Sequence, residues 1–209
     1  MVEGKKRNVF ILGDSVSIHY GPYLKEMIKG KFNYDRKRGI NEALLDLDKP
    51  IGANGGDSSM VLYYLKEEKN RNVKYDILLI NCGLHDIRVH RDSLENQVSE
   101  KDYSKNLYEI IQMAKDMSNE VIWITTTPII DEIHNSRKEG FLRYSKDLEK
   151  YNRIAEEILS EKDVDIIDLY GFTRNLGINL YCDHVHFVQW IRKLQGVFIA
   201  ENLLSNKNN

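Results

Sequence analysis

Short apolar runs alternate with longer amphipathic stretches along the whole chain. Residues 8–12 (Asn-Val-Phe-Ile-Leu) form a β-branched apolar run that stops at Gly13, the pattern of a buried strand. From about Val16 to Lys29 the apolar positions Ile18, Tyr20, Leu24, Met27 and Ile28 fall at helical spacing, with Gly30 placed for a C-cap. Residues from Phe32 to about Lys37 predict a second, weaker strand. Residues 58–69 predict a helix with serine available as N-cap. The continuous run from Asp76 to Cys82 has the character of a central parallel strand. A helix follows from about Lys101 to Met117, with Leu107, Ile110, Ile111 and Ala114 on one face. Residues 120–127 predict a strand, broken by Pro128. A long amphipathic helix spans about 138–160, a last strand about 164–169, and a closing helix about 188–204. Residues 85–103 and 129–137 remain as long connections, of the kind that act as lids or specificity walls.

Strands alternating with helices predict parallel βαβ units, hence a three-layer, doubly wound α/β domain with about five strands. The chain has 209 residues, 42% hydrophobic and 30% charged, which suits one soluble domain over residues 1–209 ending in a polar tail at 205–209. A net charge of −2 gives no basic field for nucleic acid. No apolar run is long enough to span a membrane, and no signal-peptide core follows the N-terminus, so a cytoplasmic location is expected. Two cysteines, Cys82 and Cys182, make neither a disulfide framework nor a zinc cage, and reduced thiols are expected.

Ligands of such sheets sit at the carboxyl ends of the strands, so the polar residues there carry the candidate chemistry. After the first strand comes Gly13-Asp14-Ser15, which places a hydroxyl at a strand-to-helix junction; taken alone, Asp14 or Ser15 reads first as an N-cap. Asn54-Gly55-Gly56-Asp57-Ser58 offers backbone N–H groups that a ligand can approach closely, or simply a turn and a cap. Asn81-Cys82-Gly83-Leu84-His85-Asp86 follows the central strand, with His85 as a potential donor into the same crevice. Near the C-terminus, Asp183 stands three residues ahead of His186, spaced so that a carboxylate can orient an imidazole and stabilise its charged form.

In this order and at these positions, Gly13-Asp14-Ser15, Gly56-Asp57-Ser58, Gly83-x-x-Asp86 and Asp183-x-x-His186 resemble the four sequence blocks of the SGNH (GDSL-type) hydrolases. The resemblance implies a flavodoxin-like α/β/α sandwich, ester hydrolysis by a serine nucleophile, and neither metal nor organic cofactor. Residue by residue it implies Ser15 as nucleophile, His186 as general base and Asp183 as its orienting carboxylate. The Ser15 and Gly56 amides would be oxyanion-hole donors. The third donor departs from the family: its usual asparagine is His85 here, which can still donate but with a pH-dependent character. Asp14, His19 and Tyr181 are candidate pocket residues. Tyr20, Tyr23 and Trp190 are further aromatics that suit either a sugar-sized site or helix packing. His90 and His134 are expected to be solvated, a surface position is expected for His19 unless it lines the pocket, and His184 is expected to face away from the catalytic pair.

The expected substrate is a small-molecule or carbohydrate ester with a short acyl group, O-acetyl by analogy. An acyltransferase using the same acyl-enzyme, and an inactive glycan- or protein-binding relative, are alternatives from the same residues. Gly13-Asp14, His85-Asp86 and His184-x-His186 also echo a dinuclear metallophosphoesterase, but no Asp-x-His pair precedes Gly13 to begin such a site. The glycine-rich phosphate-binding signatures of nucleotide-binding sheets are missing.

Overall fold

The computed structural model describes residues 6–205. Its elements are β1 (Asn8–Leu12), α1 (Ser15–Ile28), β2 (Asn33–Arg36), α2 (Ile40–Leu45), α3 (Ser58–Asn70), β3 (Tyr75–Ile80), β4 (Val89–His90), α4 (Glu100–Met117), β5 (Ser118–Ile124), α5 (Asp131–Arg137), β6 (Phe141–Leu142), α6 (Ser145–Glu161), β7 (Asp165–Ile167), α7 (Leu169–Arg174) and α8 (Gln189–Ser205). Five strands pair in the order β2-β1-β3-β5-β7, all parallel. This is the flavodoxin-like winding, with its switch point between β1 and β3.

The central strand is apolar throughout because it is covered on both faces: Ile77, Leu78, Leu79 and Ile80 are all buried. Helix α1 packs on α8 on one side of the sheet, while α3, α4 and α6 pack side by side in the other layer. Helix α4 shows why its sequence reads clearly. Leu107, Ile110, Ile111 and Ala114 are buried on one face, and Ser99 caps its start by accepting the Asp102 amide.

Two expectations are corrected here. Residues 129–137 are not an irregular connection, because Asp131–Arg137 forms helix α5. The expected helix from 138 accordingly starts only at Ser145. Between the two, Gly140 adopts φ +91, which breaks the helical path, and Phe141–Leu142 pairs antiparallel with Val89–His90. Helices α2 and α7 carry no predicted element in the sequence. Each is six residues long, too short for a 3.6-residue period to register. The expected polar tail lies, beyond Ser205, outside the described residues. Among the described residues no helix is long and apolar enough to cross a membrane.

Candidate active site

The four segments singled out in the sequence converge at the carboxyl ends of β1 and β3. At the first, the Asp14 carboxylate accepts the Val16 amide at 2.8 Å and caps α1, while Ser17 Oγ donates to the Asp14 carbonyl. Ser15 is the first residue of that helix, so its own amide precedes the intrahelical ladder and is not consumed by it. The second segment is docked beside the first by Gly55, whose amide donates to the Gly13 carbonyl at 2.9 Å. Gly56 has φ +76 and donates its amide to Asn54 Oδ1 at 3.0 Å. In this arrangement that amide is therefore already engaged inside its own loop.

The third segment turns at Gly83, where φ is +147 and an added Cβ would lie 2.4 Å from Thr126 Oγ1. Only glycine fits that turn. The segment is tied to the second by Asp86, whose Oδ1 accepts the Ser58 amide at 2.8 Å. Burial raises the Asp86 carboxyl to about 7, and its Oδ2 has no partner. His85 is buried beside it, with Nδ1 sealed from solvent and unpartnered. Burial, reinforced by Arg88 and Arg143, holds the imidazole far below its ordinary pKa, with Asp48 opposing. This shift favours the neutral imidazole over the charged one.

The fourth segment is a tight hairpin. Tyr181 and Phe187 form an antiparallel bridge at its base, and the Cys182 amide donates to the His186 carbonyl at 2.8 Å. Inside it, Asp183 Oδ1 accepts the amides of Val185 and His186, and Oδ2 lies 2.7 Å from His186 Nδ1. Burial would raise the Asp183 carboxyl, but the His186 ring and these two amides outweigh it and hold it below the ordinary carboxylate range. His186 Nε2 in turn lies 2.8 Å from Ser15 Oγ. Hydroxyl, imidazole and carboxylate thus form one continuous line of hydrogen bonds between residues 171 positions apart.

The candidate pocket residues have distinct surroundings. The Asp14 carboxyl is raised by burial, against the lowering effects of the Val16 amide, His186 and Arg143. His19 is not on the open surface: its ring meets that of His186 edge-on at 5.0 Å, and burial lowers its pKa to about 3. Tyr181 spends its hydroxyl on the Pro128 carbonyl and its ring on Phe187, so it builds the base of the hairpin. Both cysteines are free, Cys82 buried and Cys182 exposed.

A second polar cluster was not singled out in the sequence. Asp48 accepts from Lys138 Nζ at 2.5 Å and lies 3.0 Å from His184 Nε2, and its backbone carbonyl accepts from Arg88. His184 Nδ1 lies 3.0 Å from His134 Nδ1. His134 is therefore buried rather than solvated, and burial takes its pKa to about 3. His184 directs its hydrogen bonds into this cluster, its ring 6.0 Å from that of His186. Arg88 and Arg143 both stack on Phe141, at 4.5 and 4.9 Å from its centre. Contacts of this kind join residues far apart in the chain and carry no spacing signal. Among the described residues, no group of three or more His, Cys, Asp or Glu side chains is placed to hold a metal ion.

The site is enclosed: Ser15 is 4% exposed, and His85 and His186 are 2% exposed each. A cavity of about 640 Å³ opens instead beside the amino ends of β1 and β3, lined by Asn8, Asp35, Tyr64 and Asp76. It lies away from the chemistry.

No family model matches the sequence, and no curated protein does. Solved structures do match over nearly the full length. A lipase/acylhydrolase from Enterococcus faecalis superposes with TM-score 0.72 at 18% identity, over 96% of each chain. An acetyl xylan esterase from Geobacillus stearothermophilus gives 0.65 at 16% identity, over 98% of this chain and 96% of its own. A member of the lipolytic G-D-S-L family from Veillonella parvula gives 0.63 at 16%, over 93% and 96%. Sheet order, the position of the four segments and these superpositions agree that the chain has the three-layer α/β/α fold of the GDSL/SGNH hydrolases.

Proposed function

We propose that this chain is a serine ester hydrolase acting through an acyl-enzyme on Ser15. The observation that carries the reading is the unbroken Ser15–His186–Asp183 hydrogen-bond line at 2.8 and 2.7 Å. His186 Nε2 takes the Ser15 proton as Oγ attacks the ester carbonyl. Asp183 holds the ring by its other nitrogen and stabilises the imidazolium that forms. His186 then returns the proton to the leaving alcohol, and water repeats the sequence on the acyl-enzyme.

The tetrahedral oxyanion needs preorganised donors. The Ser15 amide at the start of α1 is one, and the positive end of that helix favours negative charge beside it. A neutral His85 supplies the second from Nε2, since Nδ1 is the nitrogen sealed inside. The Gly56 amide joins as a third by exchanging its Asn54 acceptor for the oxyanion.

The enclosed surroundings of Ser15 favour a short acyl group. The acetyl xylan esterase among the structural neighbours supports an O-acetyl carbohydrate as substrate class. The test is hydrolysis of acyl esters graded by chain length and alcohol, with Ser15→Ala as control and a fluorophosphonate as label. Turnover that falls with acyl length, and both turnover and labelling lost in Ser15→Ala, is the expected result. Undiminished turnover or labelling in Ser15→Ala overturns the assignment.

A further inference from the structure

Arg143 follows β6 and carries its charge into the protein interior, where it is 2% exposed. Its Nε donates to the Leu84 carbonyl at 2.6 Å, which pins the guanidinium one residue away from His85. Its Nη1 is buried with no partner. A buried N–H left unsatisfied is costly and rare. The complementary orphan lies on the next residue, because His85 Nδ1 is also buried without a partner.

An oxyanion hole makes a demand here that asparagine would not. An asparagine amide is a permanent donor, whereas a neutral imidazole has two tautomers and only one of them carries a proton on Nε2. The tautomer is set by what the other nitrogen meets. A guanidinium can only donate, so placed at Nδ1 it makes that nitrogen an acceptor and leaves the proton on Nε2. The opposite tautomer would set N–H against N–H.

We propose that Arg143 is a positioning residue for His85: it donates to Nδ1 through one bridging water, and so holds the Nε2–H tautomer toward the reacting carbonyl. This rests on the reading of His85 as an oxyanion donor. Substituting histidine for asparagine in the third block would then require a partner elsewhere in the fold, and Arg143 is that partner. The charged groups around the ring also act on its charge. Arg88, Arg143 and His186 oppose protonation, and Asp48 favours it.

The experiment is a double-mutant cycle on full-length protein with an aryl acetate, combined with ¹⁵N NMR of histidine-labelled enzyme. Arg143→Met is expected to lower kcat by about 10- to 100-fold with KM nearly unchanged, the range found when the partner that orients a metal-ligating histidine is removed. In the His85→Asn background, where no tautomer exists, the same change should cost about threefold or less. An equal loss in both backgrounds overturns the proposal, since that is what a purely structural arginine would give. Should Arg143→Met not fold, the NMR of the unmodified enzyme decides: a proton on Nε2 of His85 supports the proposal and a proton on Nδ1 overturns it. If His85→Ala leaves kcat unchanged while Ser15→Ala is inactive, the oxyanion role of His85 falls and this proposal falls with it. If His85→Ala is costly and the cycle is additive, the Arg143 inference alone fails.

Discussion

Asp183 grips His186 twice, accepting its backbone amide at 2.6 Å with one carboxylate oxygen and meeting its ring Nδ1 at 2.7 Å with the other. The same side chain therefore sets both the hairpin and the imidazole.

Asp183→Asn separates these tasks. The amide oxygen can still accept the His186 amide, but the NH₂ group now faces Nδ1 as a donor and forces the proton onto Nε2, where it blocks acceptance from Ser15. Turnover should fall by about 10⁴-fold, the magnitude found where a triad carboxylate is replaced by its amide, with little change in melting temperature. Asp183→Ala should lower the melting temperature as well. Steady-state kinetics and thermal melts on both variants check this.

At Gly83 the backbone has φ +147 and an added Cβ would lie 2.4 Å from Thr126 Oγ1. Gly83→Ala should destabilise the fold by about 1–3 kcal/mol through the strained backbone alone, and move His85 away from Ser15. The paired change Gly83→Ala with Thr126→Ala relieves the clash but not the backbone strain. It should recover only part of the stability in denaturant titrations.

Asp86 and His134 give stability opposite pH dependences. The Asp86 carboxyl is raised to about 7, so the native state holds a proton that the unfolded state has lost above about pH 4. Its stabilising contribution is full below that point and is lost as pH rises through 7. His134 is lowered to about 3, so the unfolded state binds the extra proton, and stability is lost as pH falls from about 6.5 toward 3. Asp86→Asn should remove its fall in stability between about pH 4 and 7, and His134→Gln the fall as pH drops from about 6.5 toward 3. Each slope should change by up to about 1.4 kcal/mol per pH unit. Denaturant midpoints from pH 4 to 9 provide the readout, and an unchanged slope in either variant contradicts the assigned state.

The strands and long helices are legible because burial imposes a period on them. The run at 76–82 reads as central strand since both faces of β3 are covered. The four loop segments are legible through glycine and through short-range pairs such as Asp183 and His186. What escapes is either too short for a period, as in α2 and α7, or built from contacts across the chain. Asp48 in Leu47-Asp48-Lys49-Pro50 reads as a turn, yet its partner His184 is 136 residues away. Arg143 meets Leu84 across 59 residues, and nothing in either local sequence announces the contact.

Asp48 also ties three separate segments together. Its carboxylate holds Lys138 at the end of α5 and His184 in the 181–187 hairpin, and its carbonyl accepts from Arg88. Its carboxyl stays well below the ordinary range: burial opposes this, but hydrogen bonds from His184 and Lys138 prevail. Residues 131–142 have few other anchors toward the hairpin, chiefly Arg137 on the Asp183 carbonyl and His134 on His184. Removing the carboxylate should therefore loosen this segment before the sheet. In Asp48→Ala, amide hydrogen exchange over 131–142 should quicken by about tenfold or more, while exchange in β1 and β3 stays slow. Because Ser15 is enclosed in the resting arrangement, the same variant should accept longer acyl esters, read as a smaller drop in kcat/KM from acetyl to butyryl. Exchange that quickens uniformly would mean that Asp48 supports the whole fold. Unchanged exchange would mean that the segment is held by its own packing.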